Sequence, residues 1–336
     1  MSLTASITHE WDYQAPWWLP NGHLQTIWAS KVTGASWKSK PTHYVRERWT
    51  TPDSDFIDVD IQYAHHSQGP LPENSAPWLV LFHGLEGSSS SPYARAFAEI
   101  AHLLGWHFVV PHFRGCSGDI NLLPRAYHSG DHQEIDWILK RLQNRSQGAL
   151  RVVGISLGGN ALLRWAQTAG NYASKLARSV CAICAPLDLM ACGQALGQGI
   201  NRLIYTRIFL KTMKPKALQK LQQYPGLFDY EKILRAQTLY EFDDIFTAPL
   251  HGFKGVEDYW RQASALPALG DIQIPALIVN ARNDPFVPAG SLPRPHGLGS
   301  HICLWQPQSG GHVGFVTRKS SASVSTLPQA VAAWMN

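Results

Sequence analysis

The sequence predicts an α/β fold: a mostly parallel central sheet covered by helices on both faces, carrying one helical insertion. Three observations predict it. Short apolar runs recur along the chain, amphipathic patterns lie between them, and a single stretch of about 90 residues breaks the alternation.

The first segment, WDYQAPWWLPNGHLQTIWAS (11–30), mixes tryptophan, proline and glycine without a clean period and reads as an irregular arm over an apolar surface. In it, Trp17 and Trp18 are expected to be buried against the body rather than held at a membrane interface. From Tyr44 to Tyr63, alternating apolar and polar residues flank a TPDSD turn, so an antiparallel hairpin is expected. The runs WLVLFHG (78–84), HFVVPHF (107–113), LRVVGIS (150–156), VCAICAP (180–186), PALIVNA (275–281) and ICLWQ (302–306) are too short for helices and read as buried parallel strands. Helical spacing marks 93–104, 132–145, 161–168 and 327–334. Between Pro186 and Pro275 helical signals continue without a convincing strand, which predicts a cap inserted at the carboxyl edge of the sheet. The first half of that interval is basic, with Arg202, Arg207, Lys211, Lys214, Lys216 and Lys220, and has no acid between Asp188 and Asp229. Such a run is read first as a solvated face; attraction of anionic substrates or lipid headgroups is the sharper alternative. One domain over 1–336 is expected, with an irregular arm over 1–42 and the cap over 187–270.

Composition narrows the class. Of 336 residues, 45% are hydrophobic and 16% charged, enough to bury a core and unlike a disordered chain. No apolar run reaches about 18 residues, and the N-terminus lacks a basic start and an apolar h-region, so neither a membrane span nor a secretory signal is expected. Five scattered cysteines read as reduced thiols of a cytoplasmic protein, and a net charge of +5 is too weak to suggest nucleic-acid binding.

The chemistry concentrates in Gly154-Ile155-Ser156-Leu157-Gly158, which follows a strand and opens a helix. A serine on so tight a turn crowds the positions two residues either side, where glycine is needed. The Leu157 amide would then sit at a helix N-terminus, where it and the dipole favour a developing oxyanion. A hydroxyl becomes a competent nucleophile only when a base takes its proton and a carboxylate orients that base. In chain order the acid and the histidine should follow later strands: Asp284 follows PALIVNA, and His312 follows ICLWQ through a glycine-containing loop. Asp188 competes as the acid; His296 and His301 are expected at the surface. The turn His83-Gly84-Leu85 follows the third strand and offers the Leu85 amide as second oxyanion donor. Cys181 and Cys184, three apart on a strand, should face opposite sides and belong to the core; His128 and His132 lack the glutamate of a zinc helix. No P-loop or strand-following G-x-G-x-x-G is present, and no cofactor or metal is expected.

WWLPNGHLQTIW, HGLEGSSSSPY, FRGCSGD, GISLGGN, EFDDIFTAPLHGF, ARNDPFVP and GGHVGF together resemble the α/β-hydrolase superfamily and, within it, the YheT-like group of esterases, over nearly the whole chain. The resemblance implies an α/β-hydrolase fold and cofactor-free hydrolysis of carboxylic esters through an acyl-enzyme, with Ser156, Asp284 and His312 as nucleophile, acid and base. Some relatives of that group act on acylglycerols or phospholipids, which implies a small-molecule or lipid ester, with peripheral membrane contact at most. The rival readings are an acyltransferase on the same scaffold and a non-catalytic binding module. The FRGCSGD and FDDIFTAPLHGF segments are expected to support loops around the pocket.

Overall fold

Alternation of apolar side chains builds one sheet with two cores. The computed structural model describes residues 11–36, 43–64, 76–296, 298–317 and 324–336. Its strands are β1 (Val45–Thr50), β2 (Phe56–Gln62), β3 (Trp78–Phe82), β4 (His107–Pro111), β5 (Leu150–Ile155), β6 (Ala177–Ile183), β7 (Ala276–Val279) and β8 (Ile302–Trp305), in the order β1-β2-β4-β3-β5-β6-β7-β8. The first two pair antiparallel to their neighbours; from β4 onward every pairing is parallel. Along β3, Trp78, Val80 and Phe82 enter one core while Leu79 and Leu81 enter the other, as a period of two requires.

Helices cover both faces. The first core is closed by α3 (His132–Gln143) and α4 (Leu157–Ala169), through Ile135, Ile138, Leu162 and Trp165. The second is closed by α2 (Pro92–Leu103) and the C-terminal helix α8 (Thr326–Met335), through Phe97, Ile100, Leu327 and Val331. Between β6 and β7 lie mainly helices, including α5 (Leu189–Leu196), α6 (Arg207–Gln223) and α7 (Val256–Ala263), which bury a separate apolar cluster against the Phe286-Val287 loop.

Two expectations for the N-terminal segment need correction. The arm expected to be irregular over 1–42 contains a 15-residue helix, α1 (Gly22–Ser36). Asn21 starts it, its Oδ1 accepting from the Leu24 amide at 3.0 Å, and polar contacts with the core, rather than an apolar stripe, hold it. Residues 1–10 and 37–42, like the pair His65-His66, lie outside the described residues. Trp17 is not buried against the body: it is 78% exposed, and Trp18 packs on Trp28 at the rim.

The β1–β2 hairpin carries buried carboxylates whose partners are set by register. Arg46 lies opposite Asp60 and Arg48 opposite Asp58, and each guanidinium makes two hydrogen bonds of 2.7–2.9 Å to its carboxylate. Buried Arg114, from the FRGCSGD segment, ties the hairpin turn to α3: its Nη1 donates to Asp55 and Asp53 at 2.9 Å and its Nε to Glu134 at 2.6 Å. Asp55 in turn accepts from the amides of Leu122 and Leu123, which fixes the loop beneath the site. Removing Arg114 would strand buried carboxylates. Arg114→Ala is expected to cost about 3–5 kcal/mol in urea unfolding; a loss under about 1 kcal/mol would mean that the carboxylates find other partners.

Candidate active site

A strand that must turn directly into a helix creates the central position. β5 ends at Ile155 and α4 begins at Leu157, leaving Ser156 alone to make the reversal at φ 51° and ψ −118°. That strain is tolerable because the backbones around it are in contact. A Cβ on Gly154 would lie 2.5 Å from the Gly158 carbonyl oxygen, and one on Gly158 would lie 2.5 Å from that of His83. Glycine at both positions therefore reflects packing against α4 and against the end of β3. The Ser156 amide donates to the Ile183 carbonyl at 2.8 Å, which locks the turn to β6.

The loops after β7 and β8 bring the other two groups to the same sheet edge. His312 Nε2 lies 3.0 Å from Ser156 Oγ, and His312 Nδ1 lies 2.8 Å from Asp284 Oδ2. A carboxylate at Nδ1 places the proton there and leaves Nε2 free to accept from the hydroxyl. Asp284 is buried, and its other oxygen accepts from the Phe286 amide at 2.8 Å. The Phe286 ring stacks on the imidazole with centroids 4.1 Å apart. The competing Asp188 is engaged elsewhere, capping α5 through the Ala191 amide at 3.0 Å.

Sequence reasoning missed what holds the histidine loop. Gln25 Oε1, on α1, accepts from the Gly310 amide at 2.8 Å and from Asn283 Nδ2 at 3.0 Å, so one buried amide bridges the loops that carry Asp284 and His312. Asn283 Oδ1 accepts from the Gly311 amide at 3.0 Å, and Thr26 Oγ1 accepts from the His312 amide at 2.8 Å. The signal that could have exposed this was Asn21, an N-cap residue directly before Gly-His-Leu-Gln-Thr.

Leu85 and Leu157 both line the cavity that reaches Ser156. The Leu157 amide belongs to the first turn of α4, and among the described residues neither amide has a hydrogen-bond acceptor. Buried His83 anchors the Leu85 turn. The Phe113 amide donates to its Nε2 at 3.0 Å, so its proton is on Nδ1 and is donated to the Gly84 carbonyl at 2.8 Å. Burial and the neighbouring His112 push its pKa down to about 3, so the ring stays neutral. Glu86, at φ 57°, is held by Tyr127, which donates to its carboxylate at 2.8 Å and accepts from its amide at 3.0 Å; Lys216 of α6 pairs with the same carboxylate at 2.8 Å.

A cavity of about 140 Å³ opens over these groups, walled chiefly by Leu196, Phe209, Met213, Phe242, Phe246 and Phe286. The FDDIFTAPLHGF segment forms part of its lining. Asp243 is buried there, accepting from Thr247 Oγ1 at 2.6 Å and Trp260 Nε1 at 2.9 Å, and burial pushes its carboxyl up to about 6. Cys184 corrects the strand argument: it lies just past β6 at φ 50°, so both it and Cys181 enter the same core. Its Sγ accepts from the Val313 amide at 3.2 Å. Ligand atoms of Cys184, Asp284 and His312 lie within 4.8 Å of one another, but burial pushes the thiol well up and disfavours the thiolate a metal would need.

Comparison with known proteins gives concordant results. The family described as alpha/beta hydrolase fold matches residues 77–319. The chain is 39% identical over 273 residues to the Escherichia coli (strain K12) protein named "Putative esterase YheT", covering 80% of this chain and 78% of that one. It is 25% identical over 302 residues to mouse phospholipase ABHD3, covering 88% and 73%. A solved esterase from Pyrobaculum calidifontis superposes with a TM-score of 0.55 at 18% identity, over 93% of this chain and 92% of that one, a likeness of fold.

The polar contacts from α1 carry a measurable cost. Thr26→Val keeps the side-chain shape but leaves the His312 amide without its acceptor, so urea unfolding should show a loss of about 1–3 kcal/mol. An unchanged midpoint would mean that the amide finds another partner.

Proposed function

Because the chain belongs to the alpha/beta hydrolase fold family, we propose that it is a serine hydrolase that cleaves carboxylic esters through an acyl-enzyme intermediate. The observation that carries this reading is the hydrogen-bonded relay from Ser156 through His312 to buried Asp284, at the foot of an apolar cavity. In the proposed mechanism Ser156 Oγ attacks the ester carbonyl while His312 Nε2 takes its proton. Asp284 stabilises the imidazolium, and the amide N–H groups of Leu85 and Leu157 hold the oxyanion. His312 then gives the proton to the departing alkoxide as the carbon–oxygen bond breaks. A water molecule attacks the acyl group with His312 again as base, and the acid leaves with Ser156 restored.

The helices over 187–270 act, in this reading, as a cap whose apolar wall receives the acyl chain. The names of the relatives, esterase and phospholipase, support small or lipid esters as substrates. Among the described residues no helix is long and apolar enough to cross a membrane. The five free cysteines support a reducing, cytoplasmic setting, with contact at membranes peripheral.

With a chromogenic short-chain ester, Ser156→Ala is expected to lower kcat by at least about 1,000-fold and Asp284→Asn by about 10,000-fold. Turnover by Ser156→Ala within a few-fold of the natural protein would overturn the reading.

A further inference from the structure

Apolar side chains stand exposed on both segments where α1 meets the insertion. Ile200, Leu203 and Ile208 are 55%, 62% and 51% exposed, Leu24 on α1 is also exposed, and Trp17 stands in the segment leading into that helix. The two segments are in contact: the His23 ring stacks on that of Tyr205 at a 4° interplanar angle, with Nδ1 3.1 Å from the Tyr205 hydroxyl. Exposed positions 207–208 and 211 lie on the first turns of α6, exposed 203 lies in the wider π-helical turn that leads into it, and exposed 200 in the short helical turn before that. Isolated exposed apolar residues need no explanation, but a cluster of this kind marks an interaction surface.

Charge identifies the partner. Arg202, Arg207 and Lys211 are exposed among these apolar residues, and among the described residues none of the three makes a salt bridge. Of the chain's 24 acidic residues, none falls within 13–31 or 189–228, the stretches that hold these side chains. Aliphatic side chains and tryptophan interleaved with arginine and lysine suit the boundary between headgroups and acyl chains, and the missing acids suit an anionic leaflet. Binding to a bilayer needs no matching shape, only apolar and basic side chains on one side.

The surface is also joined to the site. The helix that exposes Ile208 turns Phe209 and Met213 into the cavity, while Tyr205 packs on Phe286, the ring that stacks on His312. Asn201, beside Ile200, donates to the Pro285 carbonyl at 2.6 Å, directly after the acid Asp284. We propose that this face docks on an anionic lipid bilayer, with Ile200, Leu203 and Ile208 entering the headgroup layer and Arg202, Arg207 and Lys211 pairing with lipid phosphates or carboxylates. That docking serves to deliver a lipid ester to the cavity rests on the ester-hydrolase reading; the docking itself does not.

The full chain, sedimented with vesicles of phosphatidylcholine alone or with about 30 mol % phosphatidylserine, tests the proposal. Pelleting with the anionic vesicles, diminished at about 0.5 M salt and weak with neutral vesicles, is the expected result. The triple variant Arg202→Gln, Arg207→Gln, Lys211→Gln should weaken the partition by about 100-fold, and the double variant Leu203→Ser, Ile208→Ser by about tenfold. Both should hydrolyse a water-soluble short ester at the natural rate. Failure of the natural protein to pellet with anionic vesicles, or unaltered binding by both variants, would sink the proposal. So would sedimentation velocity showing a dimer that Leu203→Ser, Ile208→Ser converts to monomer, since a second copy would then cover the face. Vesicle binding without turnover of any soluble ester would support docking and count against the hydrolase reading instead.

Discussion

The left-handed turn at Ser156 is the constraint on which the rest of the site depends. A strand and a helix joined through one residue can pack only if their backbones touch; the close approach at Gly154 is that contact, and the one at Gly158 sets the same turn against the end of β3. The same geometry aims the hydroxyl outward at the carboxyl edge of the sheet, beside an unspent helix N-terminus, so position and electrostatic character arise together. The loops after β3, β7 and β8 need only reach this one point.

How those loops are held differs from how the core is held. The two cores on the faces of the sheet are held by non-directional apolar burial. The site needs fixed distances, and buried polar groups supply them: His83 across the β3 and β4 loops, Gln25 across the loops of Asp284 and His312, and Tyr127 on Glu86 beside the Leu85 amide. Each of these contacts is directional, and losing one leaves a buried donor or acceptor unsatisfied. Neutrality of His83 belongs to the same logic, because a charged ring could not accept from the Phe113 amide.

The helical insertion contributes on two sides. Its inner side chains wall the cavity, and Lys216 reaches the loop beside the Leu85 amide. Its outer side, together with α1, leaves apolar and basic groups in solvent. On α6 the two faces carry different chemistry, with Phe209 and Met213 on the cavity and Arg207, Ile208 and Lys211 exposed.

Much of this was legible in the chain as written. Period-two and period-three-to-four patterns placed the strands and the four helices that cover the sheet within a few residues, because burial on one or two faces demands those periods. Ser156, Asp284 and His312 were legible because each follows a strand, and parallel strands end at one edge. Helix α1, the exposure of Trp17 and the turn at Cys184 were not. The first is held by hydrogen bonds to residues some 260–290 positions away, which leave no local period, and the other two depend on what lies opposite in space. Local pattern therefore determined which elements form and in what order. Only the folded chain decided which polar side chains meet across them, because a directional bond between distant residues has no signature until both partners are placed.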